Sequence, residues 1–509
     1  MDISHNRIAL IQPEAFSGFH HIKELDLSYN KLRTIKSGAF RGCLTLTTLR
    51  LRSTGIQYME NHALDDFVAL IDLDLRDNQL VMPNTFARLV KALPGLKTFK
   101  LSGNDLTNVT SILDKRPEAD LSLASMSQLK HLELERCGLS NISASLWSSN
   151  TNLKVVKLGG NDLSSLPEAL FAKQIFLEEL HLDRNQFQRV PNEALKYLYH
   201  LKVLNMSGNL ISHLKENNFD YVGSLLVLDL SANNMRMISE RAFQNVTKLQ
   251  ELNLETNLVS TFYTRTFLPL SDNLITFKAK GNQIPFIPVA VQGLRQVVNL
   301  DFSLNRMERL KEIPETRAVM KSVRQVKISY SNLTTVSPTD FELVPNLIKL
   351  DLSCNKLSRV APYAFRGLDK LQWLDMSRNE VMHLSRERFI GLLALQQLNL
   401  SRNSLANLGD LPSDLRGLVI LDLSYNRLRS LARDSLTHLT RLVRLDLRGN
   451  LLSQLGPEIL HPMPSIKALD LADNSFSVLP LDGIQAIEDT LESVNFEGRP
   501  NCNQTNICG

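Results

Sequence analysis

The chain is 509 residues long, beyond the roughly 250–300 residues at which one compact core stops growing, so it holds several domains or a repeat array. Its 57 Lys and Arg against 53 Asp and Glu leave a formal +4, too little and too dispersed for a dedicated nucleic-acid binder, which carries a clustered basic face. Apolar content of 43% is ordinary for a soluble protein, and no run approaches the roughly 18 consecutive apolar residues of a membrane helix.

The first residues, Met1-Asp2-Ile3-Ser4-His5-Asn6, fall directly into a repeating phrase, without the basic segment and apolar run of about 7–15 residues that open a secretory leader. The expectation is that the natural start lies upstream; a cytosolic chain is the alternative. Ile3, Ile8 and Ile11 already read as core. The phrase is clearest at Leu25-Asp26-Leu27-Ser28-Tyr29-Asn30-Lys31-Leu32 and recurs from Leu350 to Leu357, Leu421 to Leu428 and Leu445 to Leu452. Its Asn position falls at Asn6, Asn30, Thr54, Asn78, Asn104, Cys137, Asn161, Asn185, Asn209 and Asn233, then at Asn257, Asn282, Asn305, Ser331, Asn355, Asn379, Asn403, Asn426, Asn450 and Asn474. Seventeen of these 20 are Asn and most intervals are 24 residues, which chance does not produce.

Each residue type in the frame has a physical task. Ile22, Leu25, Leu27 and Leu32 are predicted to point inward and stack on the next coil, since one coil cannot bury its own apolar face. The Asn amide, with two donors and an acceptor, can satisfy backbone groups of its own and adjacent coils; Thr54, Cys137 and Ser331 are small enough to fit but can bond less fully. Ten residues after the Asn comes a second apolar mark: Phe16, Phe40, Phe171, Phe219, Phe243, Phe267, Phe341, Phe365 and Phe389, with Leu195, Leu436 and Leu460 in the same role. One recurring address means a structural spine rather than a cofactor-binding aromatic box.

Two intervals depart from the norm. Asn104 to Cys137 spans 33 residues and carries an insertion around 110–120, which maps to a loop. Asn305 to Ser331 spans 26 residues and is basic, with Arg306, Arg309, Lys311, Arg317, Lys321, Arg324 and Lys327 against Glu308, Glu312 and Glu315; it reads as a solvated face, with contact to an acidic glycan or phospholipid as the alternative.

Alternate strand residues point out of the sheet. Between the two strand leucines the later coils read Asp301, Lys327, Asp351, Asp375, Asn399, Asp422, Asp446 and Asp470, a framework Asp. The earlier coils depart from it, with Arg50, Asp74, Lys100, Glu133, Lys157 and His181. Residues that leave a framework consensus are free to be chosen for a partner. The predicted partner-binding set is therefore Arg50, Arg52, Asp74, Arg76, Lys100, His131, Glu133, Lys157 and His181, on coils three to eight beside the insertion. Trp373, outward on its strand, is added as an aromatic anchor. Of the Asn-x-Ser/Thr sequons, Asn108 and Asn503 are the expected glycan sites, because Asn205 and Asn399 belong to the repeat phrase.

The frame resembles the leucine-rich-repeat family over essentially the whole chain. Its 24-residue period with a Phe spine is similar to the extracellular subclass of Toll receptors, Slit and chaoptin-type adhesion proteins, and phrases such as Ala364-Phe365-Arg366-Gly367-Leu368 are most similar to the chaoptin type. The resemblance implies an α/β solenoid: a right-handed horseshoe with a parallel concave β-sheet and irregular chain, 3₁₀ turns and short helices on the convex side. Residues 1–498 would form about 20–21 repeats. Residues 499–509 resemble the opening of a cysteine-rich C-terminal cap, with Cys502 and Cys508 as its disulfide, which implies an oxidising compartment. Cys43, Cys137 and Cys354 read as buried thiols.

No phosphate-cradling glycine loop or His-Glu-x-x-His is present, and Gly159-Gly160 lies at a strand turn. His131 and His181 sit two strand spacings apart, about 10 Å, too far to share a metal. Cys502 and Cys508 lack the second ligand pair of a zinc site. The reading is therefore no enzyme, no cofactor and no metal. It is an extracellular or cell-surface recognition protein whose concave face binds a protein ligand or cell-surface receptor, in adhesion or receptor sensing. A glycan is the alternative ligand, nucleic acid is excluded, and a membrane would be reached only through segments absent from this chain. Two rival readings stand: a cytosolic scaffold assembling signalling proteins, and the ligand-binding ectodomain of a Toll-like immune receptor continuing past Gly509.

Overall fold

The computed structural model describes residues 1–81, 84–107, 122–311 and 319–497. The chain divides into two compact units, Met1–Leu258 and Val259–Gly509. Both are solenoids built one coil at a time.

In the first unit each coil contributes a three-residue strand to one parallel sheet. Glu24–Asp26 pairs with Thr48–Arg50, and the ladder continues through Asp72–Asp74, Thr98–Lys100, His131–Glu133, Val155–Lys157, Glu179–His181, Val203–Asn205 and Val227–Asp229 to Glu251–Asn253. The second unit repeats the plan from Thr276–Lys278 to Ser493–Asn495. The middle residue of each strand before the last points inward, and Leu25, Leu49, Phe99, Leu132 and Leu350 are all fully buried; in the last strand Val494 is exposed. The two flanking residues point out, so strand alternation alone assigns core and face. Helix is sparse. The nine-residue helix Asn84–Ala92 is the longest among the described residues, and short 3₁₀ segments such as Asn192–Leu195 and Ser413–Gly417 fill the side away from the sheet. Among the described residues no helix is long and apolar enough to cross a membrane.

The Asn ladder works as its chemistry demands. Asn209 Nδ2 donates to the carbonyls of Leu182 and Met206, both at 2.9 Å, while its Oδ1 accepts from the Phe187 amide at 3.1 Å. Asn379 repeats the pattern in the second unit with Leu352, Met376 and Leu357. The substitutes bond less, as their chemistry predicts. Thr54 Oγ1 reaches Leu51 O and Asn78 Oδ1, Cys137 Sγ is 3.7 Å from Leu101 O, and the buried Ser331 Oγ has no partner. The residue before the Asn is left-handed in both units, with glycine at Gly103, Gly160, Gly208, Gly281 and Gly449 but Arg378, Arg402 and Tyr425 elsewhere, at φ 53–54°.

The Phe spine is buried as expected. Phe365 stacks on Phe341 at 5.9 Å and on Phe389 at 6.1 Å, and Phe219 stacks on Phe243 at 6.3 Å. Trp147 also stands in this spine, 5.8 Å from Phe171, with its indole Nε1 donating to Leu170 O. It lies ten residues after Cys137, an address the sequence reading missed by looking for Phe and Leu alone.

Four inward assignments need correction. Ile22 is half-buried, because the chain there is still turning into its strand; Ile3 and Ile8 are half-buried too, though Ile11 is inside. Cys354 is half-buried rather than buried, since it occupies the left-handed turn position at φ 53°, which aims its side chain outward. Cys43 and Cys137 are buried, and burial pushes their thiols up to about 11 and about 12. The insertion at 110–120, Asn108, Glu312, Glu315, Arg317, the segment 499–509 with Cys502 and Cys508, and Asn503 lie outside the described residues.

Candidate functional site

On the sheet face of the first unit, the last residue of each strand forms a column across the coils. In register it runs Asp26, Arg50, Asp74, Lys100, Glu133, Lys157, His181. From Asp26 to Lys157 charge alternates in sign from strand to strand, at the 4.7–4.9 Å spacing where opposite charges attract and like charges repel. The framework positions explain themselves: Asp26, Asp74 and Asp229 accept the amide two residues on, at 2.9, 3.1 and 2.8 Å. Among the described residues, Arg50, Lys100, Glu133, Lys157 and His181 make no such turn bond, so their side chains are not held by the frame.

They are instead held by one another. Arg76 donates Nε and a terminal nitrogen to Asp74, at 2.9 and 2.6 Å, and its other terminal nitrogen lies 3.6 Å from Glu133 Oε2. Glu133 Oε1 takes His131 Nε2 at 2.8 Å and Lys157 Nζ at 3.0 Å. Lys100 lies 3.7 Å from Asp72, Arg50 lies 3.4 Å from Glu24, and Arg52 donates to Asp77 at 2.8 Å, a carboxylate shared with Arg136. Asp74, Arg76, His131, Glu133 and Lys157 thus form one network, while Arg50, Arg52, Lys100 and His181 stand beside it in separate contacts. His181 Nε2 is buried with no hydrogen-bond partner, 3.7 Å from Glu179, so the two histidines are not brought together. Sequence reasoning named the cations but missed their acids Glu24, Asp72, Asp77 and the cation Arg136. Among the described residues no cluster of three His, Cys, Asp or Glu is placed to hold a metal.

Glu133 is the hub, with a side chain only 4% exposed. Burial alone would raise its carboxyl, but the hydrogen bonds from His131 and Lys157, and their charges, outweigh it and hold the group at about 2. A depressed folded value means stability that is present above the ordinary value near 4.5 and is lost as pH falls towards 2. The full shift would correspond to about 3 kcal/mol. Arg76 and Lys157, each 29% exposed, recover water when the carboxylate goes, so Glu133→Gln is expected to destabilise by about 1–2 kcal/mol at pH 7. In melts across pH, the gap between wild type and variant should close between pH 4.5 and 2; a gap independent of pH would remove Glu133 from the hub.

The second unit presents a different column. Asp351, Asp375, Asp422, Asp446 and Asp470 each accept the amide two residues on, at 2.8–3.1 Å, which makes them framework. Burial, and for Asp446 the neighbouring Asp422 and Asp470, push Asp375 and Asp446 above the usual carboxylate range. Asn399 breaks the run and donates to Asp375 at 3.2 Å. Trp373 points out of this sheet between Lys349 and Gln397, but it is half-buried rather than free.

Comparisons with known proteins agree with this construction. The profile described as "Leucine rich repeat" matches residues 1–56, 176–235, 223–284, 321–381, 345–405 and 416–476, more than half of the chain, and a second, described as "Leucine Rich Repeat", matches 394–418. No curated protein matches in sequence. Among solved structures, a leucine-rich-repeat protein of Leptospira interrogans is 24% identical with a TM-score of 0.58, covering 82% of this chain and 93% of that one. The Drosophila Toll–Spatzle complex is 18% identical with a TM-score of 0.53, covering 97% and 74%. The TLR13–ssRNA13 complex is 19% identical with a TM-score of 0.53, covering 93% and 81%. At these identities the likeness carries the fold alone. With its amide ladder, its parallel one-strand-per-coil sheets and these profile matches, the chain belongs to the leucine-rich-repeat family.

Proposed function

We propose that this protein is a non-catalytic recognition module that binds a protein partner on the sheet face of the first unit, over coils three to eight. The observation that carries the proposal is the sign-alternating network centred on Glu133. Its charges are paired in advance, so a partner meets a fixed pattern, and little side-chain freedom is lost on binding. Fixed charges of both signs favour a protein, which can mirror them, over a polyphosphate, which Asp74 and Glu133 would repel. The Toll–Spatzle and TLR13–ssRNA13 complexes are solved with the ligands their names state, so both ligand classes belong in the test.

Within the family we place the chain with the extracellular Toll, Slit and chaoptin-type arrays, at the cell surface or secreted. Its 24-residue coil and its Phe spine support that placement. Glycopeptide mapping of material secreted from animal cells should find glycan at Asn108 or Asn503; bare sequons throughout would count against it.

The binding test uses a panel of secreted and cell-surface ectodomains, with single-stranded RNA as a second arm. The Lys100→Glu, Lys157→Glu double variant inverts two charges that face Asp72 and Glu133. An ectodomain that binds wild type should lose about tenfold or more in affinity, the scale of a disrupted charge pair, with the Asn-ladder frame still folded by circular dichroism. Equal affinity for both proteins, or a response to RNA alone, would overturn the reading.

A further inference from the structure

The turn that follows each sheet strand in the second unit carries a charge pattern of its own. Four successive coils, those of Asn355, Asn379, Asn403 and Asn426, can be compared from the left-handed residue before the Asn to the fourth residue after it. These stretches hold Lys356, Arg359, Arg378, Arg402, Arg427 and Arg429 against a single carboxylate, Glu380. That excess of five positive charges is larger than the +4 of the entire chain. No local run betrays it, because each coil contributes only one or two members.

All six cations are exposed, and none has a carboxylate within ion-pair distance among the described residues. Ion pairs of this unit lie elsewhere, among them Arg295–Asp272, Arg444–Asp446, Arg448–Asp473 and Lys467–Glu492. Their scaffold is rigid. Register pairing fixes consecutive coils about 4.8 Å apart, and Arg378 and Arg402 hold φ of 53° and 54°, the conformation that Gly281 and Gly449 adopt at the same address. An arginine in that conformation is strained where glycine is not. The framework acids Asp351, Asp375 and Asp422 sit on the sheet, four residues before the Asn, where their amide bonds occupy them. The edge is left with unneutralised cations.

The surroundings select the ligand. Fixed charges of both signs favour a folded protein partner, whereas these turns carry six cations against one carboxylate. A single-stranded nucleic acid wants free aromatic platforms. The Tyr425 ring is already engaged, with the guanidinium carbons of Arg402 and Arg448 at 4.4 and 5.7 Å from its centroid. What remains is a row of cations, five of the six arginine, whose forked donors match tetrahedral and planar oxyanions. We propose that this turn edge of the second unit binds a sulfated polysaccharide. The site is separate in unit and face from the protein-binding surface proposed above, so either reading can fail alone.

The full chain would be titrated calorimetrically with a size-defined heparin oligosaccharide at low and physiological salt, beside an N- and O-desulfated control, a single-stranded oligonucleotide and a poly-glutamate peptide of matched charge. Wild type should bind heparin, with affinity falling steeply as salt screens the contacts. Arg378→Gln with Arg402→Gln should weaken it by about tenfold or more, the scale of two lost charge-assisted contacts. Arg433→Gln with Arg441→Gln, exposed arginines away from these turns, should stay within about twofold, as expected for dispersed charge. Both pairs should melt like wild type. Equal losses in the two pairs would show a response to net charge and overturn the proposal. So would absent heparin binding, or equal binding of the oligonucleotide or the peptide.

Discussion

Phe365→Ala is expected to destabilise the second unit by about 3–5 kcal/mol, the range for deleting a fully buried ring from a packed core. Phe365 is completely buried and lies between two parallel partners, Phe341 and Phe389. Removing it breaks the stack in the middle, and neither neighbour can move inward without leaving its own coil. Phe365→Leu should recover most of the loss, because Leu436 and Leu460 fill the same address elsewhere in this unit and are buried there. Hydrogen exchange at the amides of coils 341 to 389 reads the effect coil by coil, which suits an array whose units contact only their neighbours. A loss under about 1 kcal/mol would mean that the spine is filler rather than structure.

Asn209→Ala should destabilise the first unit by about 1–3 kcal/mol, the range for one orphaned buried donor and two weakened carbonyls. The amide serves the carbonyls of Leu182 and Met206 and the Phe187 amide; on its loss the Phe187 amide is left buried without a partner, while the two carbonyls keep one donor each, from Asn185 and Asn233. The cost is offset in part where water enters. Asn209→Thr should be milder, since Thr54 at the equivalent place still donates to Leu51 O and takes part in the neighbouring amide's bonds. Chemical denaturation of the three proteins, followed by far-ultraviolet circular dichroism, should rank them wild type, Thr, Ala. If Ala matched wild type, the ladder would be a consequence of the coil and not its cause.

Most of the fold was legible in the sequence because its determinants are buried and periodic. A Leu, Asn or Phe recurring at one address has the same neighbours each time, so a single physical argument covers every coil. The candidate surface was legible in part. The column Arg50, Asp74, Lys100, Glu133, Lys157 and His181 followed from counting alternate strand residues. Its pairing with Glu24, Asp72 and Asp77 needed the strand register and the reach of each side chain, which spacing does not encode. The sequence places these cations on the face but does not show the carboxylates that engage them. The arginine edge escaped for another reason, since its members lie about one period apart and no window of sequence gathers them.

Asn209 bonds to Leu182 and Met206, and Asn233 to Met206 and Leu230. Every rung asks for one carbonyl from its own turn and one from the turn before. Bookkeeping in this interior thus counts strands and not residues: the 23-residue step from Asn403 to Asn426 and the 33-residue step from Asn104 to Cys137 both deliver strands in register. A gene encoding such a chain can be lengthened by copying one rung, or given a new appendage between two of them, and the hydrophobic seam never has to be rewritten.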